Sequence, residues 1–155
     1  MLSSFILGGK IVSIVGLVGT DVVVKTLTAS STSIINIITH LSTTEFPNSE
    51  SIKKALLETD IELKMKVINS LVNDLKKKIN LDEKINIALG SLAETTEKIH
   101  NQLDLIKDKI EYHKLKYFQT WRNLNCDENL NNIKKLNNIL DKRLDLLTKI
   151  LSIKY

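Results

Sequence analysis

Ile61, Met65, Ile68, Val72, Leu75 and Ile79 recur at alternating spacings of four and three residues. Only an α-helix puts such a series on one face, because its turn brings positions three and four apart into line. A stripe of this kind is stable only when something apolar covers it, so the chain must pack helix on helix. The pattern returns further on. Ile85, Leu89, Leu92, Thr96, Ile99, Leu103, Ile106, Ile110, His113 and Tyr117 continue it, and Ile133, Leu136, Leu140, Leu144, Leu147 and Leu151 form a third seam. The step of four from Leu136 to Leu140 and again to Leu144 is a stutter in that last seam.

Three seams joined by short polar connections predict an all-α fold, an antiparallel helical bundle with long coiled-coil-like helices over residues 47–155. Thr59 with Glu62, and Asn80 with Glu83, have capping-box spacing, and Asn125 or Asp127 suits an N-cap. The middle helix, if unbroken from Asp82 to Arg122, would be about 60 Å long at 1.5 Å per residue. Gly90 and Thr95-Thr96 are its weak places. Its first half is expected to pack on the preceding helix and its second half on the following one. Self-association through the same seams stays open.

Residues 1–46 read differently. From Phe5 to Val24 the only charges are Lys10 and Asp21, and apolar residues would cover nearly the whole circumference of a helix. A helix apolar all round is either a membrane span or a buried core element. Leu27 to Leu41 is a second apolar stretch, and the small polar run Thr28–Ser33 separates the two. A helical hairpin is therefore preferred here. A β-hairpin turning at Gly16–Thr20, between 11–15 and 22–27, is the alternative, since Val, Ile and Thr favour strands. Lys10 argues against a span and interrupts any signal peptide. Residues 1–46 are expected to be an anchor or core segment, with Ile11, Val15, Val18 and Val22 as its contact residues.

Composition narrows the function. Lys+Arg total 22 against Asp+Glu 18, a net charge of only +4. Charge so small, with acids interspersed, does not suit nucleic acid as the primary partner. One cysteine excludes a disulfide framework and fits a reducing compartment. The 20 Lys, 20 Ile and 14 Asn are what AT-rich codons supply, so their clusters need no functional cause. Lys76–Lys78 reads as a helix end favoured by the dipole.

Little in the chain suggests chemistry. Glu97 and His100 form one Glu-x-x-His pair, whereas di-iron bundles use two with further carboxylates. Cys126 has no histidine nearby to act as a base. Gly8-Gly9-Lys10 lacks P-loop spacing. The expectation is no enzyme, no cofactor, no metal and no small-molecule substrate.

The aromatics are more telling. Of seven, Tyr112, Tyr117, Phe118 and Trp121 fall within ten residues, interleaved with His113, Lys114, Lys116 and Arg122. Such a cluster either caps the bundle or forms a protein contact. A lipid headgroup layer would also accept it.

No family motif is present. In layout, an apolar Gly-bearing N-terminus before an amphipathic bundle resembles HeLo-type membrane-permeabilising domains of cell-death proteins, and also small structural proteins of large DNA viruses. The likeness carries over no residue roles. The expected function is a non-enzymatic structural or interaction protein, part of a larger assembly, anchored by its N-terminus and working with protein partners or further copies. Membrane anchoring or permeabilisation through residues 5–24 is the alternative. The expected location is cytoplasmic or membrane-associated, with a virion as one possibility.

Overall fold

A computed structural model describes residues 4–7, 10–13, 19–46, 48–78, 82–115 and 124–154. The fold is all-α, with five helices among those residues: α1 Thr20–Thr43, α2 Ser49–Thr59, α3 Ile61–Lys76, α4 Glu83–Leu115 and α5 Asp127–Lys154. Ahead of them strands β1 (Ser4–Leu7) and β2 (Lys10–Ser13) pair antiparallel, with Phe5 opposite Val12 and Ile6 opposite Ile11.

The N-terminal third departs from the expected helical hairpin in two ways. Its start is a two-stranded ribbon, and not at the position weighed above: apolar runs Phe5–Leu7 and Ile11–Val12 lie either side of Gly8-Gly9, a two-residue hairpin spacing in the sequence. Its remainder is one uninterrupted helix of 24 residues running through Thr28–Ser33. The physical reason is a seam that the apolar block at Ile34–Ile38 disguises. Leu27, Ser30, Ile34, Ile37 and Leu41 step by three and four residues, and all five are buried. Serine is small enough to sit in that seam, and packing overrides its weak helix propensity.

Each helix end has a local cause. Gly19 accepts from the amides of Val22 and Val23 and opens α1. At its other end the hydroxyls of Ser42, Thr43 and Thr44 donate to the carbonyls of Thr39 and His40 in the last turn. The capping box expected at Thr59 does not form. Thr59 donates instead to the Leu56 carbonyl inside α2, and Asp60 adopts a left-handed conformation (φ 57°) that separates α2 from α3. Asp82 starts α4, its side chain accepting from the Lys84 amide. Asn125 does the same for Asp127 ahead of α5.

α4 is continuous for 33 residues, about 50 Å at 1.5 Å per residue. Gly90 and Thr95-Thr96 do not break it. Both threonine hydroxyls donate back to carbonyls one turn earlier, at Ser91 and Leu92. The neighbour of its first half is α1 rather than α3. Thr20 donates to Asn86 at 2.7 Å, and Ser30 donates to Glu97, so α1 and α4 run parallel. α3 packs on the other side of α1, α5 packs antiparallel on α4, and α2 lies across α1 and α5.

All of this encloses one core. Leu27, Ile34 and Leu41 of α1 share it with Ile61, Met65 and Ile68 of α3, Leu89, Leu92 and Ile99 of α4, and Ile133 and Leu140 of α5. The change of composition near Phe46 thus falls between helices of a single core. Two outcomes follow. Ile34→Ala should cost about 2–5 kcal/mol in urea unfolding, the usual range for a fully buried large-to-small change. Deleting residues 1–46 should abolish the cooperative thermal transition, read by circular dichroism, because α3 and α4 would each lose their shared neighbour.

Candidate interaction surface

The contact residues expected from sequence do not converge. Val22 lies exposed at the start of α1, and Tyr112 lies exposed near the end of α4. The hydrogen bond from Thr20 to Asn86 sets their relative level. Tyr112 stands 26 residues beyond Asn86 on α4, about 40 Å along the axis. These two residues therefore belong to opposite ends of the bundle. Ile11 is in β2. Val15, Val18, Tyr117, Phe118 and Trp121 lie outside the described residues. Tyr112 meets the His113 ring edge-on, with centroids 5.7 Å apart.

The chemically suggestive residues are engaged structurally. Glu97 accepts from Ser30 across the α1–α4 interface, whereas His100 faces Asp104 at 3.3 Å along its own helix. The pair is split between two partners. Among the described residues no three His, Cys, Asp or Glu side chains group as metal ligands would. His113 is half-buried, its Nδ1 2.7 Å from the Lys109 carbonyl. Cys126 sits directly before α5, and its carbonyl accepts from the Leu130 amide. The thiol is buried. Burial pushes its pKa up, the Lys109 charge pulls it down, and Asp127 adds to the rise.

A set of long polar side chains ties the helices in register. Arg143 of α5 donates to the Ser91 carbonyl at 2.7 Å and to Thr95 at 2.6 Å on α4. Lys109 of α4 donates to Asn129 at 2.7 Å, and Asn129 donates in turn to Gln102. Lys64 of α3 reaches Asp141 at 2.6 Å and Asn137 at 2.9 Å on α5. All three ties cross between helices, so they orient the bundle rather than forming a reaction site.

Among the described residues two apolar surfaces stand out, and the seams drawn above omitted both. The first is a groove of about 850 Å³ where α2 and α3 diverge from the end of α1. It exists because the left-handed Asp60 swings α3 away from α2 instead of continuing it. Ile38, Leu41, Leu56, Leu57 and Leu63 supply its apolar lining, and Lys54 and Glu62 stand among its charged members. Leu57 is 79% exposed and Leu63 55%. The second surface is on α5, where Ile139, Leu146 and Ile153 are exposed. The available signal was apolar residues left over once each inward seam had been assigned.

No family model and no solved structure matches the chain. A stretch of 77 residues is 39% identical to an uncharacterized protein of Acanthamoeba polyphaga mimivirus. The match covers 49% of this chain and spans 37% of that protein's length.

The buried thiol gives a measurable outcome. Its pKa is higher folded than unfolded, so its stabilising contribution is complete below the unfolded thiol's pKa, about 8.5. That contribution is lost as pH rises through the folded value. Wild-type stability should therefore fall above that range more steeply than that of Cys126→Ala. A thiol reagent at pH 7 should label the native chain far more slowly than the urea-unfolded one.

Proposed function

We propose that the chain is a non-enzymatic structural or interaction protein, a helical-bundle component of a larger assembly. The α2–α3 groove is the observation that supports this reading. Leucines as exposed as Leu57 and Leu63 gain about 1.5–3 kcal/mol each when a partner covers them fully. A groove that gathers them beside a closed core is a surface suited to a neighbouring subunit. Since α1 already has its apolar face covered by α3 and α4, the anchoring role narrows to the residues before α1. The likeness of 77 residues to a mimivirus protein supports a virus particle as the assembly in this reading, and the lone thiol fits assembly in a reducing compartment. The partner is a protein, and no small-molecule substrate, cofactor or nucleic acid enters this reading.

The test is incorporation. Mass spectrometry of purified particles should find the wild-type chain at stoichiometric level. A Leu57→Glu/Leu63→Glu variant should keep the wild-type melting temperature within a few degrees and be excluded from particles. Equal incorporation of both forms would remove the groove from the proposal, and absence of the wild-type chain would sink the particle assignment.

Membrane attachment is a second reading, and α1 is the feature that favours it. By length and composition it is long and apolar enough to cross a bilayer. Among the described residues the candidate segment is Thr20–Thr43, whereas the expected stretch 5–24 begins in strands β1 and β2. Insertion would require α1 to leave the core and strip its neighbours of Leu27, Ile34 and Leu41. The full chain is therefore expected to stay at the bottom of a flotation gradient with anionic liposomes. Flotation that high salt does not reverse would reject that expectation and favour the membrane reading.

A further inference from the structure

α5 carries a second seam. Beside the inward series, Ile139, Arg143, Leu146, Ile150 and Ile153 step by four and three residues. Ile139 is 40% exposed, Leu146 51% and Ile153 85%, and Ile150 is half-buried. Arg143 does not interrupt the stripe with a free charge, because its guanidinium is turned onto Ser91 and Thr95 of α4. The same contact sets the level of α4 against α5. One turn further, in the opposite chain directions, Ile87 of α4 comes level with Leu146, and Ile87 is itself exposed. The outer side of the α4–α5 pair thus carries an apolar stripe on α5, joined at one level by Ile87 of α4. At its other end it sinks into a depression of about 360 Å³ lined by Lys98, Gln102, Asn132, Lys135 and Leu136.

A basic row follows the strip. Lys135, Lys142 and Lys149 repeat every seven residues, in step with Ile139, Leu146 and Ile153. Seven residues advance about 10.5 Å and return to nearly the same azimuth, so the lysines edge the stripe along its solvent side. All three are exposed. Lys135 and Lys142 make no ion pair among the described residues, and Lys149 pairs only with exposed Asp145 at 2.9 Å. An exposed pair of that kind is worth little and can be exchanged.

We propose that the outer α4–α5 face receives an amphipathic helix of another protein, one whose apolar heptad stripe is edged by a row of carboxylates. The heptad repeat of both the apolar residues and the lysines is what a docked helix reads, with apolar knobs in the centre and charge pairs along the side. A second copy fits poorly, because antiparallel pairing of two such stripes sets lysine row against lysine row. A bilayer fits poorly too. It is flat where this face is hollowed between two helices, and Asp141 and Asp145 share the exposed side of α5 with the lysines. The proposal rests on the assembly reading only in taking a protein as partner. It uses a different face from the α2–α3 groove, so either can fail alone.

The test uses the full chain and two labelled synthetic helices about four heptads long, with identical leucine stripes edged by Glu in one and Lys in the other. Fluorescence anisotropy should show the Glu-edged helix binding at least about tenfold tighter at low salt, the preference shrinking as salt rises. Leu146→Glu should weaken that binding about tenfold or more. Charge reversal at Lys135, Lys142 and Lys149 should invert the preference. Leu57→Glu/Leu63→Glu should leave it unchanged. Circular dichroism confirms that each variant stays folded, as expected for exposed positions. Equal binding of both helices, no binding, or indifference to Leu146→Glu overturns the proposal. So does a concentration-dependent dimer that Leu146→Glu abolishes, or phosphatidylserine vesicles captured in place of either helix.

Discussion

Burial of α1 between α3 and α4 is the contact on which the rest of the bundle depends. Leu27 and Ile34 are fully buried, and Leu41 is 1% exposed. The partners that cover them are the seams of α3 and the first half of α4. Without α1 the faces of α3 and α4 that pack on it would lose their cover, leaving α4 its contacts with α5 and α3 its ties to α5 at Lys64. A stretch that composition marks as foreign to the bundle is therefore its centre. The same burial explains why a helix of membrane-crossing length and apolarity is accommodated by this fold: its apolar face is used up by its own chain.

Apolar seams alone would not settle how the helices are aligned. A heptad pattern repeats every seven residues, so a slip of one repeat restores most of the apolar contacts. The polar ties remove that freedom. A slip would cost Ser30 its acceptor on Glu97 and pull Arg143 from Ser91 and Thr95. Lys64 would lose Asp141 and Asn137 together. An unpaired buried or half-buried polar group is expensive, so these contacts select one register even where each adds little net stability. Not every hydroxyl in the core is matched. Thr26 and Ser31 are buried without a partner among the described residues, a cost that packing in the α1 seam offsets.

What the folded chain presents outward is organised by the same geometry. The α2–α3 groove follows from a single left-handed residue, Asp60, and the α4–α5 strip follows from a second heptad series on one helix. They lie on different pairs of helices, which suits a subunit that touches more than one neighbour. Tyr112 and Val22, read from sequence as contact residues, are instead separated by most of the length of α4. Sequence proximity could not reveal that separation, because it depends on α1 and α4 running parallel.

The helices α3, α4 and α5 were legible because each devotes a whole face to apolar residues at helical spacing, and burial of that face is what makes the helix stable. The all-α class follows from those seams alone. The unbroken α1 was less legible: Ser30 occupies a seam position, and the polar run around it looks like a connection until a partner helix is there to cover it. The ribbon at Ser4–Ser13 was masked in the same way, since β-branched residues suit a buried helix and a strand alike, and a longer apolar stretch outweighed the short spacing at Gly8-Gly9. Periodicity along the chain thus determines which residues must be covered. Which helix covers them, in which direction and at what level, is decided by contacts between residues far apart in sequence. Ser30 with Glu97 and Lys64 with Asp141 exist only once the chain has folded.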